Sequence, residues 1–203
     1  MTTSLTPEMI KETTKFHGHW CPGLAIGVRA AEWALREMGR AGDEEIVAVV
    51  ETDMCGVDAI QYLTGCTFGK GNLIHLDYGK NAFTFYRRRD DKAARLVLRH
   101  GLNAEDYKAL GRLQAKMQKQ GLASEEENEW RETRERIARR LMESSLDEVF
   151  EIKDPKGPVP KKARILASLV CDVCGEPSME SRTRRFQEKT LCLHCFEELE
   201  KRY

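Results

Sequence analysis

The run Glu45–Thr52, EIVAVVET, decides the fold. Its apolar centre, Ile46 to Val50, is too short for a core helix and does not alternate with polar residues. A continuous apolar run of strand length marks a β-strand covered on both faces, expected near the centre of its sheet. Such a strand needs layers packed on it, and the flanking sequence supplies them.

On the N-terminal side, Leu24, Val28, Ala31, Leu35 and Met38 recur at spacings of three and four, which predicts an amphipathic helix from Pro22 to Met38 ended by Gly39. Earlier still, Thr6 and Pro7 read as the N-cap and first residue of a short helix reaching about Lys15. On the C-terminal side, CGVDAIQYLTG (55–65) returns to helical spacing through Val57, Ile60 and Leu63, closed by Gly65. GCTFGKGN (65–72) is a glycine-rich loop. LIHLDYG (73–79) and AFTFYRR (82–88) read as two strands turning at Tyr78-Gly79, and ARLVLR (94–99) as a third. The order helix, strand, helix, three strands predicts an α+β domain over residues 1–102, with a mixed sheet covered by helices on one side.

After Asn103 the pattern changes to two long charged helices, an added helical hairpin within residues 103–150 whose second arm opens with a capping box from Ser124 to Glu127. Trp130, Ile137 and Leu141 form a narrow apolar stripe there, suited to packing on the core or on a dimer partner. Residues 151–167, with three prolines and a run of lysines, read as an extended linker. A small separate module, 168–203, follows.

That module carries Cys171 and Cys174, then Cys192 and Cys195 after a gap of 17 residues. The spacing fits a four-thiolate zinc site, and the run LCLHCFEELEKRY places the second pair at a helix start, like a treble-clef finger. So small a segment has little core of its own, and a structural Zn²⁺ would supply most of its folding free energy. His194, between two ligands, reads as a surface residue.

The chain as a whole, 203 residues, accommodates one ordinary domain plus an appendage. Lys plus Arg and Asp plus Glu number 33 each, which removes the global positive field of a dedicated nucleic-acid binder and leaves nucleic acid a disfavoured partner. No apolar stretch approaches membrane-spanning length, and the N-terminus has neither the basic start nor the apolar run of a secretion signal. A cytoplasmic protein with reduced thiols is expected.

The remaining chemistry gathers in FHGHWCPGLAIG (16–27). In an extended segment His17, His19 and Cys21 point the same way and present two imidazoles and a thiol to one cavity. Cys21 precedes a helix, and Cys55 precedes the next, near Asp58 and Gln61. At helix starts both thiols are expected to have lowered pKa values. His19, Cys21, Cys55 and Asp58 are the candidate reactive pocket; His17, His19, Cys21 and Cys55 are the candidate ligands of a second transition metal of unspecified identity. Three protein ligands would leave an open coordination position. Packing is the competing reading for each residue, and His75 and His100 read as structural. GCTFGKG lacks the spacing of an ATP-binding loop, yet its amides with Lys70 and Lys80 suit a small anionic group.

FHGHWCPGLAIG, CGVDAIQYLTGCTFGKGNL, DYGKNAFTFY and the terminal cysteine pairs together resemble the FmdE/FwdE-like family, named for a component of formylmethanofuran dehydrogenase, over nearly the whole chain. The resemblance implies the α+β core already described, a homodimer, a zinc finger in some members, and a metal held by core His and Cys residues. It matches His17, His19, Cys21, Cys55, Asp58, Gln61, Cys66, Thr67, Gly69, Lys70 and Lys80, and adds Gln61, Cys66, Thr67, Lys70 and Lys80 as candidate cofactor-binding residues. In the family's name-giving complex the molybdenum or tungsten chemistry is assigned to other components, so an accessory or stand-alone role linked to one-carbon metabolism is implied, not formylmethanofuran dehydrogenase chemistry by this chain alone. The competing function is a regulator or adaptor whose finger contacts nucleic acid or protein while the core dimerises.

Overall fold

The computed structural model describes residues 5–201; the ends of the expected 1–102 and 168–203 spans, residues 1–4 and 202–203, lie outside the described residues. The chain divides into two compact units, Met1–Lys162 and Ala163–Tyr203.

In the first unit, α1 (Pro7–His17), α2 (Pro22–Met38), β1 (Ile46–Val50), α3 (Gly56–Thr64), β2 (Leu73–His75), β3 (Ala82–Arg87) and β4 (Lys92–Leu98) follow in the expected order. Then come α4 (Ala104–Gln120), α5 (Ser124–Glu143), α6 (Leu146–Val149) and β5 (Phe150–Lys153). The mixed sheet has strand order β2-β1-β3-β4-β5, so β1 is interior and β3 is central. All five residues of β1 are buried. Ile46, Ala48 and Val50 face the helical layer with Phe83, Phe85 and Leu96. Val47 and Val49 turn the other way and pack with Tyr86 and Val159. The segment carrying Val159 crosses that face, where Tyr86 Oη donates to the Gly157 carbonyl (3.2 Å) and Arg88 to that of Pro160 (2.6 Å).

Three local expectations change. LIHLDYG and AFTFYRR do not form a hairpin at Tyr78-Gly79: β2 runs parallel to β1 after the α3 crossover, and β3 pairs antiparallel on the other side of β1. The linker expected from residue 151 begins late, since Phe150–Lys153 is the edge strand β5, its Phe150 packed edge-on to Phe83 at 6.5 Å. The cap of α5 is Ala123, whose amide donates to Glu126 Oε2 (3.0 Å), so Ser124 is the first helical residue and not the cap. The α5 stripe is used within the chain: Ile137, Ala138 and Leu141 join the core beneath α2. A buried ion pair of Arg29 with Glu32, and the bond from Arg29 to the Ser144 carbonyl (2.7 Å), tie α2 to the end of α5.

The second unit consists of two short hairpins, β6 (Ser168–Val170) with β7 (Pro177–Met179) and β8 (Thr183–Phe186) with β9 (Lys189–Cys192), followed by α7 (Leu193–Glu200). Its core is Leu191 with Phe186 and Phe196, the two rings edge-on at 5.5 Å, beside Cys171 and Cys195. So small an apolar cluster leaves the module little core of its own.

Candidate metal centres

Two groups of side chains converge closely enough to hold a metal ion: His17, His19, Cys21 and Cys55 in the first unit, and Cys171, Cys174, Cys192 and Cys195 in the second. Within each, one donor atom per residue lies within 4.8 Å of all the others. A tetrahedral zinc with ordinary Zn–S and Zn–N bonds puts its donors roughly 3.4–3.8 Å apart. Both sets therefore fit after small side-chain adjustments.

In the core, convergence arises differently from the extended segment expected. His17 is the last residue of α1, Gly18 turns the chain with φ +96°, and Cys21 is the N-cap of α2. A helix end, a left-handed turn and a helix start thus bring His17 and His19 together, their rings 4.5 Å apart. Cys21 Sγ accepts the Leu24 amide at 3.3 Å. Cys55 arrives from the start of α3, and the reason is steric. A Cβ on Gly27 would lie 2.0 Å from the Gly56 carbonyl oxygen, so the two helix backbones touch where neither carries a side chain. That contact sets Cys55 beside Cys21.

Asp58, one turn into α3 from Cys55, pairs with His17 Nδ1 at 2.7 Å. The imidazole is thereby held through Nδ1, and its other nitrogen, Nε2, is buried without any hydrogen-bond partner. Buried polar atoms are almost always partnered, and a histidine held by a carboxylate through one nitrogen with the other bare is the arrangement of a metal ligand. Asp58 thus positions a ligand and does not itself face the cluster. The four candidate ligands converge. The expectation of a lowered Cys55 thiol is corrected: Cys55 makes no capping bond, and burial together with the neighbouring Cys21 sulfur pushes its pKa up.

His19 and Cys21 also form one wall of a cavity of about 410 Å³, faced by Trp130, Arg131, Arg134 and Glu135 of α5. Arg134 lies over the Trp130 ring, 4.2 Å from its centroid. The sequence reading passed over Arg134, although its spacing of four from Trp130 on a charged helix was the available signal.

The other matched residues do not enter the cluster. Cys66 is sealed in the core with Sγ 3.5 Å from the Ile46 carbonyl, and burial pushes its thiol up. Gln61 accepts the Phe68 amide (3.1 Å), the Thr67 amide donates to Asn72 (2.9 Å), and Lys70 reaches the Gly42 carbonyl (3.4 Å). Gln61, Thr67 and Lys70 border a separate shallow cavity of about 300 Å³ at the far end of α3. Lys80 lines a different cavity, beside Pro22 and Met54.

In the second unit, the Cys171–Glu176 turn closes through Gly175 (φ +74°), and Cys192 caps α7 while accepting the Cys195 amide at 3.5 Å. Amides of Cys174, Cys192 and Val173 hold the Cys171 thiol down at about 6. The Cys192 sulfur, with burial, pushes Cys195 up to about 12. Cys174 and Cys192 sulfurs lie 4.0 Å apart. The four sulfurs gather within 4.8 Å of one another, as a cation site requires.

A mixed-sheet α+β domain with a His/Cys cluster, followed by a four-cysteine zinc-finger module, defines a protein with one group of potential metal ligands in each unit. The chain belongs to the FmdE family: residues 16–151 match the family described as "FmdE, Molybdenum formylmethanofuran dehydrogenase operon". Residues 164–201 match the "Prokaryotic dksA/traR C4-type zinc finger". The chain is similar to the crystal structure of a tungsten formylmethanofuran dehydrogenase FmdE-like protein from Syntrophus aciditrophicus, at 26% identity and TM-score 0.58, covering 96% of this chain and 93% of that one. It is also 32% identical over 199 residues to a "Probable S-adenosyl-L-methionine-binding protein" of Archaeoglobus fulgidus, covering 92% of this chain and 52% of the relative. The chain therefore spans about half of that curated relative. Among the described residues, no helix is long and apolar enough to cross a membrane.

Proposed function

We propose that this protein is a metal-dependent accessory protein or enzyme of the FmdE family, whose core binds one transition-metal ion through His17, His19, Cys21 and Cys55 and whose finger binds a structural Zn²⁺ in a treble-clef arrangement. The observation that carries the reading is His17: one nitrogen is held by Asp58, the other is buried and unpartnered, and the residue offers a donor atom within 4.8 Å of three further donors.

The two centres differ in what surrounds them. The finger's sulfurs receive backbone amides and sit against its small core, the setting of a site that stabilises a fold. The core cluster is packed by α2 and α3 on one side, while His19 is exposed and borders an open cavity with Arg131 and Arg134. An ion in the core would supply Lewis-acid polarisation of a bound group. The chain's own part is to orient His17 through Asp58, keep Cys21 and Cys55 adjacent through the helix contact, and present Trp130, Arg131, Arg134 and Glu135 from α5. The family description, which names a formylmethanofuran dehydrogenase operon, supports a place in one-carbon metabolism. No feature of the finger favours the regulator reading over this one.

Titration with Co²⁺ under anaerobic conditions tests the proposal, since thiolate-to-cobalt charge-transfer and d–d bands report ligand type and number. Two sets of bands are expected, one lost in Cys174→Ser and the other in Cys55→Ser. A single set, abolished by Cys174→Ser alone, would refute a core centre.

A further inference from the structure

A cavity of about 750 Å³ in the first unit is bordered by Pro22 and Gly23, which follow Cys21, and by Met54, which precedes Cys55. It therefore adjoins the core cluster. Its volume lies in the range of small-molecule sites. Ile26, Val97, Leu102 and Leu141 make one part of its lining apolar, and Tyr107 adds a ring.

The charged residues of the lining are all of one sign. Lys80, Arg99 and Lys108 border it with His100, and no aspartate or glutamate does. Lys108 is paired with Glu105 (2.8 Å), and Arg99 donates to the Asp147 carbonyl (2.7 Å). Lys80 and His100 make no ion pair among the described residues, and Lys80 Nζ stands 5.6 Å from the Tyr78 ring centroid. A cavity with cationic side chains and no carboxylate concentrates anions.

A second, independent observation lies in the same lining. Asn103 is only 4% exposed, and its carboxamide oxygen has no hydrogen-bond partner. It stands at the N-cap of α4, yet its side chain makes no capping bond. A buried acceptor left open beside a cavity is satisfied when a bound molecule supplies an N–H or O–H.

We propose that this cavity binds an amphipathic organic anion: a ring-sized apolar body, a carboxylate drawn by Lys80 and His100, and a hydrogen-bond donor for Asn103. This rests on the metal-centre reading in one respect, that the bound anion is the substrate class presented to the core cluster.

Isothermal calorimetry on the full-length, metal-loaded protein tests it with 6-hydroxy-2-naphthoate as probe, against the neutral 6-hydroxy-2-naphthamide, 2-naphthoate and acetate. The hydroxynaphthoate is expected to bind at one site, with the amide weaker by about tenfold, the loss expected when a charge-assisted hydrogen bond is removed. Lys80→Gln, at an exposed position that leaves the core intact, should bring carboxylate and amide to the same affinity. 2-Naphthoate, which lacks the donor, should bind more weakly than hydroxynaphthoate to the parent and equally well to Asn103→Ala. Equal affinity of parent and Lys80→Gln for the carboxylate, or no heat up to millimolar probe, would overturn the proposal. Metal content measured on the same samples separates the two readings. Two ions per chain without probe binding removes the cavity and leaves the metal centre; probe binding with the finger's ion alone removes the metal centre and leaves the cavity.

Discussion

Replacing Gly27 by alanine adds one methyl group where α2 and α3 touch. The new Cβ would stand 2.0 Å from the Gly56 carbonyl oxygen, 2.4 Å from its Cα and 2.5 Å from its carbonyl carbon. All three are backbone atoms that no rotamer change can move. Ordinary contact begins near 3.4 Å, so the helices must separate by more than an ångström at the point that sets Cys55 beside Cys21. Overpacking of a core costs about 1–3 kcal/mol, and a rigid backbone contact belongs at the upper end. Alanine's better helix propensity returns about 1 kcal/mol. The net loss of about 2 kcal/mol corresponds to a melting temperature lower by roughly 4–8 °C for a unit of this size. Gly111, in the same chain and also helical, has nothing within 4 Å of its would-be Cβ, so Gly111→Ala should match the parent or exceed it slightly. Thermal unfolding by circular dichroism with metal content on the same samples makes the comparison. Gly27→Ala should melt early and lose the core ion while keeping the finger's. If it melted with the parent and kept both ions, the helix contact would not be what assembles the site.

Asp58→Asn removes the carboxylate that holds His17 Nδ1 and should weaken core metal affinity about 10–100-fold, with the fold unchanged, in a competition assay with a chromophoric chelator. Cys174→Ser should open the second unit to limited proteolysis while the first unit melts as before; equal resistance of mutant and parent tails would contradict a metal-stabilised finger. Arg95 forms a two-bond pair with Glu51 (2.6 and 2.8 Å), and both side chains are almost fully buried. Arg95→Met leaves that carboxylate buried and alone, at a cost of about 3–5 kcal/mol near neutral pH by chemical denaturation. The hydrogen bond from Arg95 holds the Glu51 carboxyl below its ordinary 4.5. Its stabilising contribution is therefore complete above that pH and lost as pH falls through the lower folded value, so the gap between parent and Arg95→Met should narrow in acid.

The interior strand, the helices around it and the four-cysteine finger were legible because each is written in local periodicity or ligand spacing. EIVAVVET has no polar alternation, and it is indeed buried on both faces. The pairing of β2 was not legible, since LIH is equally compatible with a parallel neighbour across α3 or a hairpin with β3, and only the whole sheet decides. Phe150–Lys153 looked like linker because its exposed charges and the prolines after it outweigh four residues of edge strand. The cluster of His17, His19, Cys21 and Cys55 was visible as a motif, but its geometry was not. It depends on a left-handed glycine and on a glycine contact between helices 29 residues apart in sequence, Gly27 and Gly56. Gln61, Thr67 and Lys70 entered as candidates through the family resemblance, and α3 carries them to its end away from the cluster, while Cys66 is sealed in the core. Asn103 left no mark in the sequence, because an unsatisfied acceptor exists only once its surroundings are built.

The most direct test is a metal count by inductively coupled plasma mass spectrometry on protein purified anaerobically, as parent, His17→Ala, Cys55→Ser and Cys174→Ser. Two centres predict two ions per chain in the parent and one in each variant, with the finger still protease-resistant in the first two. One ion per chain in the parent, unchanged by His17→Ala and Cys55→Ser, would contradict the account and return HGHWC to a packing motif.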